Sequence, residues 1–273
     1  MTEGKRTRWE LTVLAYIAAL VMFFPIFWMF VTGFKTEADA VQLPPKLFFM
    51  PTLESIHEAL SRSNYGGHFL NSLISAVGST ILALILSIPA AFSMAFYPTR
   101  RTNGTLLWII STKMMPPVGV IIPVYLVFIQ LKWLDNIWAL MLMYTVMNMP
   151  VVIWTLYAYF RDLPHEMMEA ARVDGANTFQ ELVNVLLPVS GPAIASAALL
   201  SIILAWNEAF WSLNLTNAQA QPLSVYVSSF KTAEGLFWAK MSAASMIAIL
   251  PVMVMGWLAQ RQLVRGLTFG AIK

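Results

Sequence analysis

The chain has 273 residues, of which 58% are hydrophobic and 11% charged, with a net charge of +3 and a mean hydropathy of +0.67. A water-soluble domain carries about 25% charged residues, so this chain lacks the polar surface to cover a water-facing globule and reads as an integral membrane protein. The small positive excess leaves no footprint for nucleic acid, and the lack of cysteine excludes disulfides and thiolate chemistry.

In chain order, Lys5, Arg6 and Arg8 precede an apolar run at 11–34. That run is longer than a signal-peptide core of about 7–15 residues and no cleavage site follows it, so it reads as an uncleaved first span. A polar loop with Pro44, Pro45 and Pro51 follows. Further spans are expected near 70–97, 106–131, 137–159, 193–213 and 241–258. Each is close to the ~20 residues that cross ~30 Å of hydrocarbon. Backbone groups in lipid must be satisfied within the segment, so the spans are helices. The expected fold is all-α: one polytopic membrane domain over 1–273 with six transmembrane helices. The Lys and Arg bias of the short loops puts both termini inside. Prolines 25, 89, 116, 117, 123, 150 and 251 fall within these spans and can kink them.

The most polar stretch lies between spans four and five, at 161–190. Arg161, Asp162, Glu166, Glu169, Arg172 and Asp174 fall close together there, so this insert projects from the bilayer on the cytoplasmic side. Pro164 suits a helix's first turn, and Glu166 and Glu169 suit the positive end of its dipole. Gly175 suits a left-handed end. Thr178 and Glu181 have capping-box spacing for a second short helix, and Pro188 ends that helix or starts the next one. The expected shape is helix, glycine turn, helix.

No phosphate-binding loop of the G-x-x-x-x-G-K-[ST] type occurs, so any ATP is bound by another chain. His165-Glu166-Met167-Met168-Glu169 resembles a zinc-protease helix, but Glu169 stands where the second histidine is required, and no metal site is expected. Ala193, Ala197, Ser201 and Ala205 form a small-residue stripe along span five. It packs either inside the subunit or against a partner subunit. Asn207, Glu208 and Trp211 end that span. Asn207 and Trp211 are spaced to share a helix face, and an amide beside an aromatic ring suits a sugar's hydroxyls and C–H faces. Glu208 is either a pathway group or a group at the water interface. Lys113, about two turns inside span three, is expected to snorkel back to the cytoplasmic surface rather than to meet a charged cargo.

Glu169-Ala170-Ala171, three residues, Gly175, nine residues, Val185, one residue, then Leu187-Pro188 is similar to the EAA loop of ABC-importer membrane subunits. The one departure is Val185, where isoleucine is usual. The tail Gln260-Arg261-Gln262-Leu263-Val264-Arg265-Gly266-Leu267-Thr268-Phe269-Gly270-Ala271-Ile272-Lys273 resembles the carbohydrate-importer branch that includes the maltose permease. Ser111-Thr112-Lys113-Met114-Met115-Pro116-Pro117 and Ala205-Trp206-Asn207-Glu208-Ala209-Phe210-Trp211 look like the mannitol/sorbitol (polyol) subgroup.

The resemblance implies a multi-pass subunit of the bacterial inner membrane with no catalytic residues and no cofactor of its own. A second, usually different permease would complete the pathway. A dimer of ATPase subunits, carrying ATP and magnesium, would dock at the loop through Glu169, Ala170, Ala171, Asp174 and Gly175. An extracytoplasmic solute-binding protein would deliver a sugar or polyol, or alternatively an anionic sugar derivative. The rival readings are a stand-alone secondary transporter or channel, which needs no ATPase dock, and an intramembrane enzyme, for which no nucleophile–base pair is found.

Overall fold

A computed structural model describes residues 3–232 and 235–268, with side chains over 9–232 and 235–257. The tail residues that carry part of the resemblance, and the terminal Lys and Arg residues of the charge count, lie outside the described side chains.

The helices in order are α1 (Glu3–Gly33), α2 (Glu37–Ala40), α3 (Glu54–Ser61), α4 (Tyr65–Phe96), α5 (Thr102–Met114), α6 (Pro117–Gln130), α7 (Ile137–Arg161), α8 (Glu166–Val173) and α9 (Thr178–Gln180). A π-helical turn (Glu181–Leu186) leads into α10 (Leu187–Val189). Then come α11 (Gly191–Trp206), α12 (Phe210–Leu215), α13 (Leu223–Ser228), a two-stranded antiparallel pair of β1 (Lys231–Thr232) and β2 (Gly235–Leu236), and α14 (Trp238–Thr268). Among the described residues four helices are long and apolar enough to cross a membrane. The number is six if each of two bent helix pairs counts as one span.

Those bends correct two expectations. Span three is not one helix over 106–131: α5 and α6 meet at 91°. Met115 and Pro116 are extended, with ψ of 126° at both, because a residue before proline is pushed out of the helical region and two successive prolines remove two donors. Span five is not one helix over 193–213 either. It ends at Trp206, restarts at Phe210, and its start is bent by 81° from the preceding arm Thr178–Val189.

The chain divides into two compact units. One comprises Met1–Tyr65 with Tyr226–Leu250. Within it Lys35, 2% exposed, donates to the Lys46 carbonyl at 2.7 Å and lies over the ring of Trp28. Lys240 pairs with Glu58. The apolar stretch of α1 is not buried, a surface that only lipid or another chain can cover.

The other unit comprises Gly66–Val225 with Pro251–Lys273. Its core is built from Ala83, Phe92 and Phe96 of α4, Leu156 and Phe160 of α7, and Ala197 of α11. A Cβ on Gly78 would meet the Met141 side chain, so glycine there leaves room for that side chain of α7 to lie against α4. α4 has 32 residues, about 48 Å at 1.5 Å per residue, and separates two ends of this unit. At one end lies the loop 161–190. At the other, His68, Asn71 and Ser72 of α4 bond the segment 219–223.

Candidate functional site

The 161–190 loop forms the helix–turn–helix expected of it. α8 carries Glu166 and Glu169 in its first turn. It starts two residues after Pro164, which lies just before the helix rather than in its first turn. At its other end the Ala176 N–H donates to the Ala171 carbonyl and the Gly175 N–H to the Arg172 carbonyl. This is the 6→1 and 5→2 pair of a Schellman ending. Gly175 has φ of +84° with open space around it, so the glycine is required by the backbone alone.

The capping box lies one residue earlier than expected. Asn177, not Thr178, accepts from the Gln180 N–H at 3.0 Å, and the Gln180 side chain accepts from the Asn177 N–H at 2.8 Å. Glu181 is thereby released for another role. It is 1% exposed and accepts from Arg172 Nε at 2.9 Å and from the Tyr97 hydroxyl at 2.6 Å. His165 sets its ring edge-on to Phe96, at 5.2 Å between centroids.

The loop therefore has two faces. Met168, 1% exposed, is plugged into the core between α4, α7 and Leu186. Glu169, Ala170, Asp174 and Gly175 are exposed and Ala171 is half-buried. Beside them stand two exposed hydrophobic side chains, Val173 and Phe179. The expected docking residues thus share one loop, seated on the core and presenting a mixed acidic and apolar surface.

Of the two readings of the small-residue stripe, the structure supports packing inside the subunit. Ala193, Ala197, Ser201 and Ala205 are all at most 4% exposed within this chain. α11 lies along α7, Thr80 of α4 donates to the Ser201 hydroxyl at 3.0 Å, and Asn148 of α7 donates to the Ser201 carbonyl at 3.2 Å. The stripe lets three helices of one subunit approach closely. It has no surface left for a partner.

Asn207 and Trp211 do not share a helix face, because the helix stops between them. The Glu208 carboxylate accepts from the Trp211 N–H at 3.0 Å and from the Ser212 N–H at 3.3 Å, so it caps the start of α12. The Glu208 carbonyl, freed by the break, accepts from the Ser224 hydroxyl at 2.7 Å and the Ser212 hydroxyl at 3.2 Å. Asn207 is exposed and its amide donates back to the Ile203 carbonyl at 2.9 Å. Trp211 is buried and lines a cavity of about 260 Å³ with Thr112 and Lys113 of α5 and with Met147 and Pro150 of α7.

Lys113 does not turn back toward the membrane surface. Its ammonium donates to the Met147 carbonyl at 3.1 Å, one residue past Val146, whose carbonyl loses its helical donor because Pro150 has no N–H. The α5 break also places Lys113 in a last helical turn, where a cation is favoured. The outward snorkelling expected from the sequence gives way to this inward bond.

Two clusters went unforeseen. One is Arg172, Glu181 and Tyr97. The other is Asp135, whose carboxylate accepts from the N–H groups of Asn217, Ala218, Gln219 and Ala220. Asp135 has φ of +54°, a conformation in which Asp is enriched.

The sequence profile described as "Binding-protein-dependent transport system inner membrane component" matches residues 87–268. The chain belongs to that family. As an inner-membrane permease of the ABC-transporter class it has relatives along its whole length. The trehalose/maltose transport system permease protein MalG of Thermococcus litoralis is 30% identical, over 100% of this chain and 99% of that protein. The diacetylchitobiose uptake system permease protein DasC of Streptomyces coelicolor is 30% identical, over 94% of this chain and 95% of that protein. The fold is shared with a chain from the crystal structure of a bacterial ABC transporter involved in the import of the acidic polysaccharide alginate. The TM-score there is 0.76 at 24% identity, over 96% of this chain and 98% of that chain.

Proposed function

We propose that this permease forms half of the translocation pathway of an ATP-driven importer of a neutral sugar or sugar alcohol, and that it couples that pathway to a separate ATPase through the 161–190 loop. A second permease completes the pathway, and an extracytoplasmic binding protein delivers the cargo. The observation that carries this reading is the two-faced loop. Met168 fixes it to the core, while Glu169, Ala170, Val173 and Phe179 are left facing outward. An apolar and acidic patch on a polar projection is what a soluble partner's cleft would cover. ATP binding and hydrolysis are assigned to that partner. In the orientation read from the loop charges, the patch is cytoplasmic.

A sugar cargo is supported by the relatives, whose names specify trehalose, maltose and diacetylchitobiose, and a neutral one by the internal bond that occupies Lys113. The polyol subgroup is the finer form of this reading and rests on the sequence motifs alone. A second reading, an anionic sugar derivative, is favoured by two observations: Lys113 lines the same cavity as Trp211, and a relative 30% identical over 95% of this chain is named for sulfoquinovosyl glycerol transport. The test is uptake into proteoliposomes holding the purified complex, with ATP inside and the binding protein outside. Uptake of a labelled neutral sugar or polyol that needs all three components supports the proposal. Uptake without ATPase or binding protein supports the stand-alone transporter instead.

A further inference from the structure

A partner docked on α8 would push there, and the push must then leave α8 for the spans. An eight-residue helix ending in a glycine turn is a weak lever unless something ties it to the spans. Met168 supplies an apolar plug, but a buried methionine slides and changes rotamer with little penalty. A directional tie needs bonds with fixed geometry.

We propose that Arg172, Glu181 and Tyr97 are that tie, a joint that makes α8, the end of α4 and the arm leading into α11 move as one body. It rests on the coupling assignment and deepens it. Glu181 opens the π-helical turn that runs through α10 into α11. Its buried carboxylate is held by Arg172 Nε at 2.9 Å and Nη2 at 3.4 Å, in the last turn of α8. The Tyr97 hydroxyl, 2.6 Å away, belongs to the residue that follows α4. The guanidinium also lies 4.8 Å over the Tyr97 ring, so each of the three side chains touches the other two.

The planar Arg fork fixes angle as well as distance. Stretching the joint would strand an ionised carboxylate in a site with almost no access to water, which is costly. Two neighbouring segments of the loop and the end of α4, 84 residues from Glu181, are therefore locked by a contact that resists opening. Arg172, Glu181 and Tyr97 act here as positioning residues. None of them touches cargo or nucleotide.

The test uses the assembled complex. The chain has no cysteine, so Glu166→Cys on α8, outside the docking patch, and Val189→Cys on the arm, both exposed, accept spin labels at chosen places. ATP with vanadate is the probe, and no cargo is needed. In the otherwise unaltered chain the label distance should stay narrow and unchanged on trapping. In Arg172→Gln it should broaden or shift by ~2 Å or more with nucleotide, because α8 now moves without the arm. Arg172→Lys, which keeps the charge and loses the fork, should fall between. Tyr97→Phe, which keeps the ring and loses one bond, is the milder variant should Arg172→Gln fail to assemble. A nucleotide-dependent distance in the unaltered chain overturns the joint, as does a narrow and invariant distance in both Arg172→Gln and Tyr97→Phe. A complex from which the ATPase never copurifies overturns the coupling reading and the joint with it. Copurification with the wrong distances overturns the joint alone.

Discussion

Lys113 and Glu208 sit at opposite kinds of helix end, the ammonium in the last turn of α5 and the carboxylate against the first amides of α12. Each break in a span thus offers the dipole that suits the charge beside it. This explains how a chain so poor in charge holds two ionisable groups within its apolar spans, an arrangement that is otherwise expensive. Replacing Lys113 by Met leaves the Met147 carbonyl without its side-chain donor but adds no buried charge. Transport of a neutral sugar or polyol should therefore persist in Lys113→Met, measured as ATP-dependent uptake into proteoliposomes. Selective loss of uptake of an anionic sugar, with the complex intact, would put the cargo in the other class.

Gly175 makes a sharper prediction, because its surroundings are open and only its φ constrains it. Gly175→Val places a β-branched residue in the left-handed region, at a cost of ~1–3 kcal/mol. It should break the Schellman ending and uncouple ATP hydrolysis from uptake. Gly175→Asn, which tolerates that region, should retain most of both. Equal behaviour of the two variants would mean that the backbone turn is not what matters.

At the far end of the same unit, Asp135 should act as a latch on residues 217–220. Burial works to raise its pKa, but the four backbone donors outweigh it and hold the carboxyl below the usual carboxylate range. A depressed folded pKa stabilises above the unfolded value and is lost as pH falls through the folded one. Amide protection at 217–220 should therefore be independent of the titration of Asp135 between about pH 5 and 8, and fail only in stronger acid. Asp135→Ala should remove ~1–3 kcal/mol of that protection, read by hydrogen exchange. Unaltered exchange in the variant would show that the segment is held by other bonds.

The stripe on α11 is predicted to behave as core. Ala197 is 1% exposed, so Ala197→Leu overpacks the contact of α4, α7 and α11 and should cost ~1–3 kcal/mol. The loss should appear in the thermal stability of this subunit by itself. A variant that is stable alone yet fails to hold its partner permease would reverse the assignment.

How much was legible in the sequence depends on how local each signal is. The α8 turn was readable because its acids, its Gly175 ending and its Leu187-Pro188 exit are all written within about two dozen residues. The span positions were readable because hydropathy averages over the length of a membrane crossing. That same averaging hid the breaks. Met115 and Asn207 sit in windows that remain apolar, and the helix stops only because Pro116 and Pro117 follow the first and the Glu208 carboxylate captures amides after the second. Glu181 was misplaced into a capping box because its true partners are Arg172, nine residues away, and Tyr97, 84 residues away. Spacing rules for one helix contain neither. The stripe was correctly seen as a packing surface, but nothing in a single helix says which neighbour fills it.

If the exposed face of α8 is where the ATPase docks, a cross-linker placed on that face should reach the ATPase. Val173 is 88% exposed, and Val173→Cys would be the only cysteine in the chain. Asn217→Cys, exposed at the opposite end of the same unit, is the control. In the assembled complex a short photo-cross-linker anchored on the thiol should join Val173→Cys to the ATPase subunit, while Asn217→Cys should give no such product. An ATPase adduct at Asn217→Cys, with none at Val173→Cys, would contradict the account.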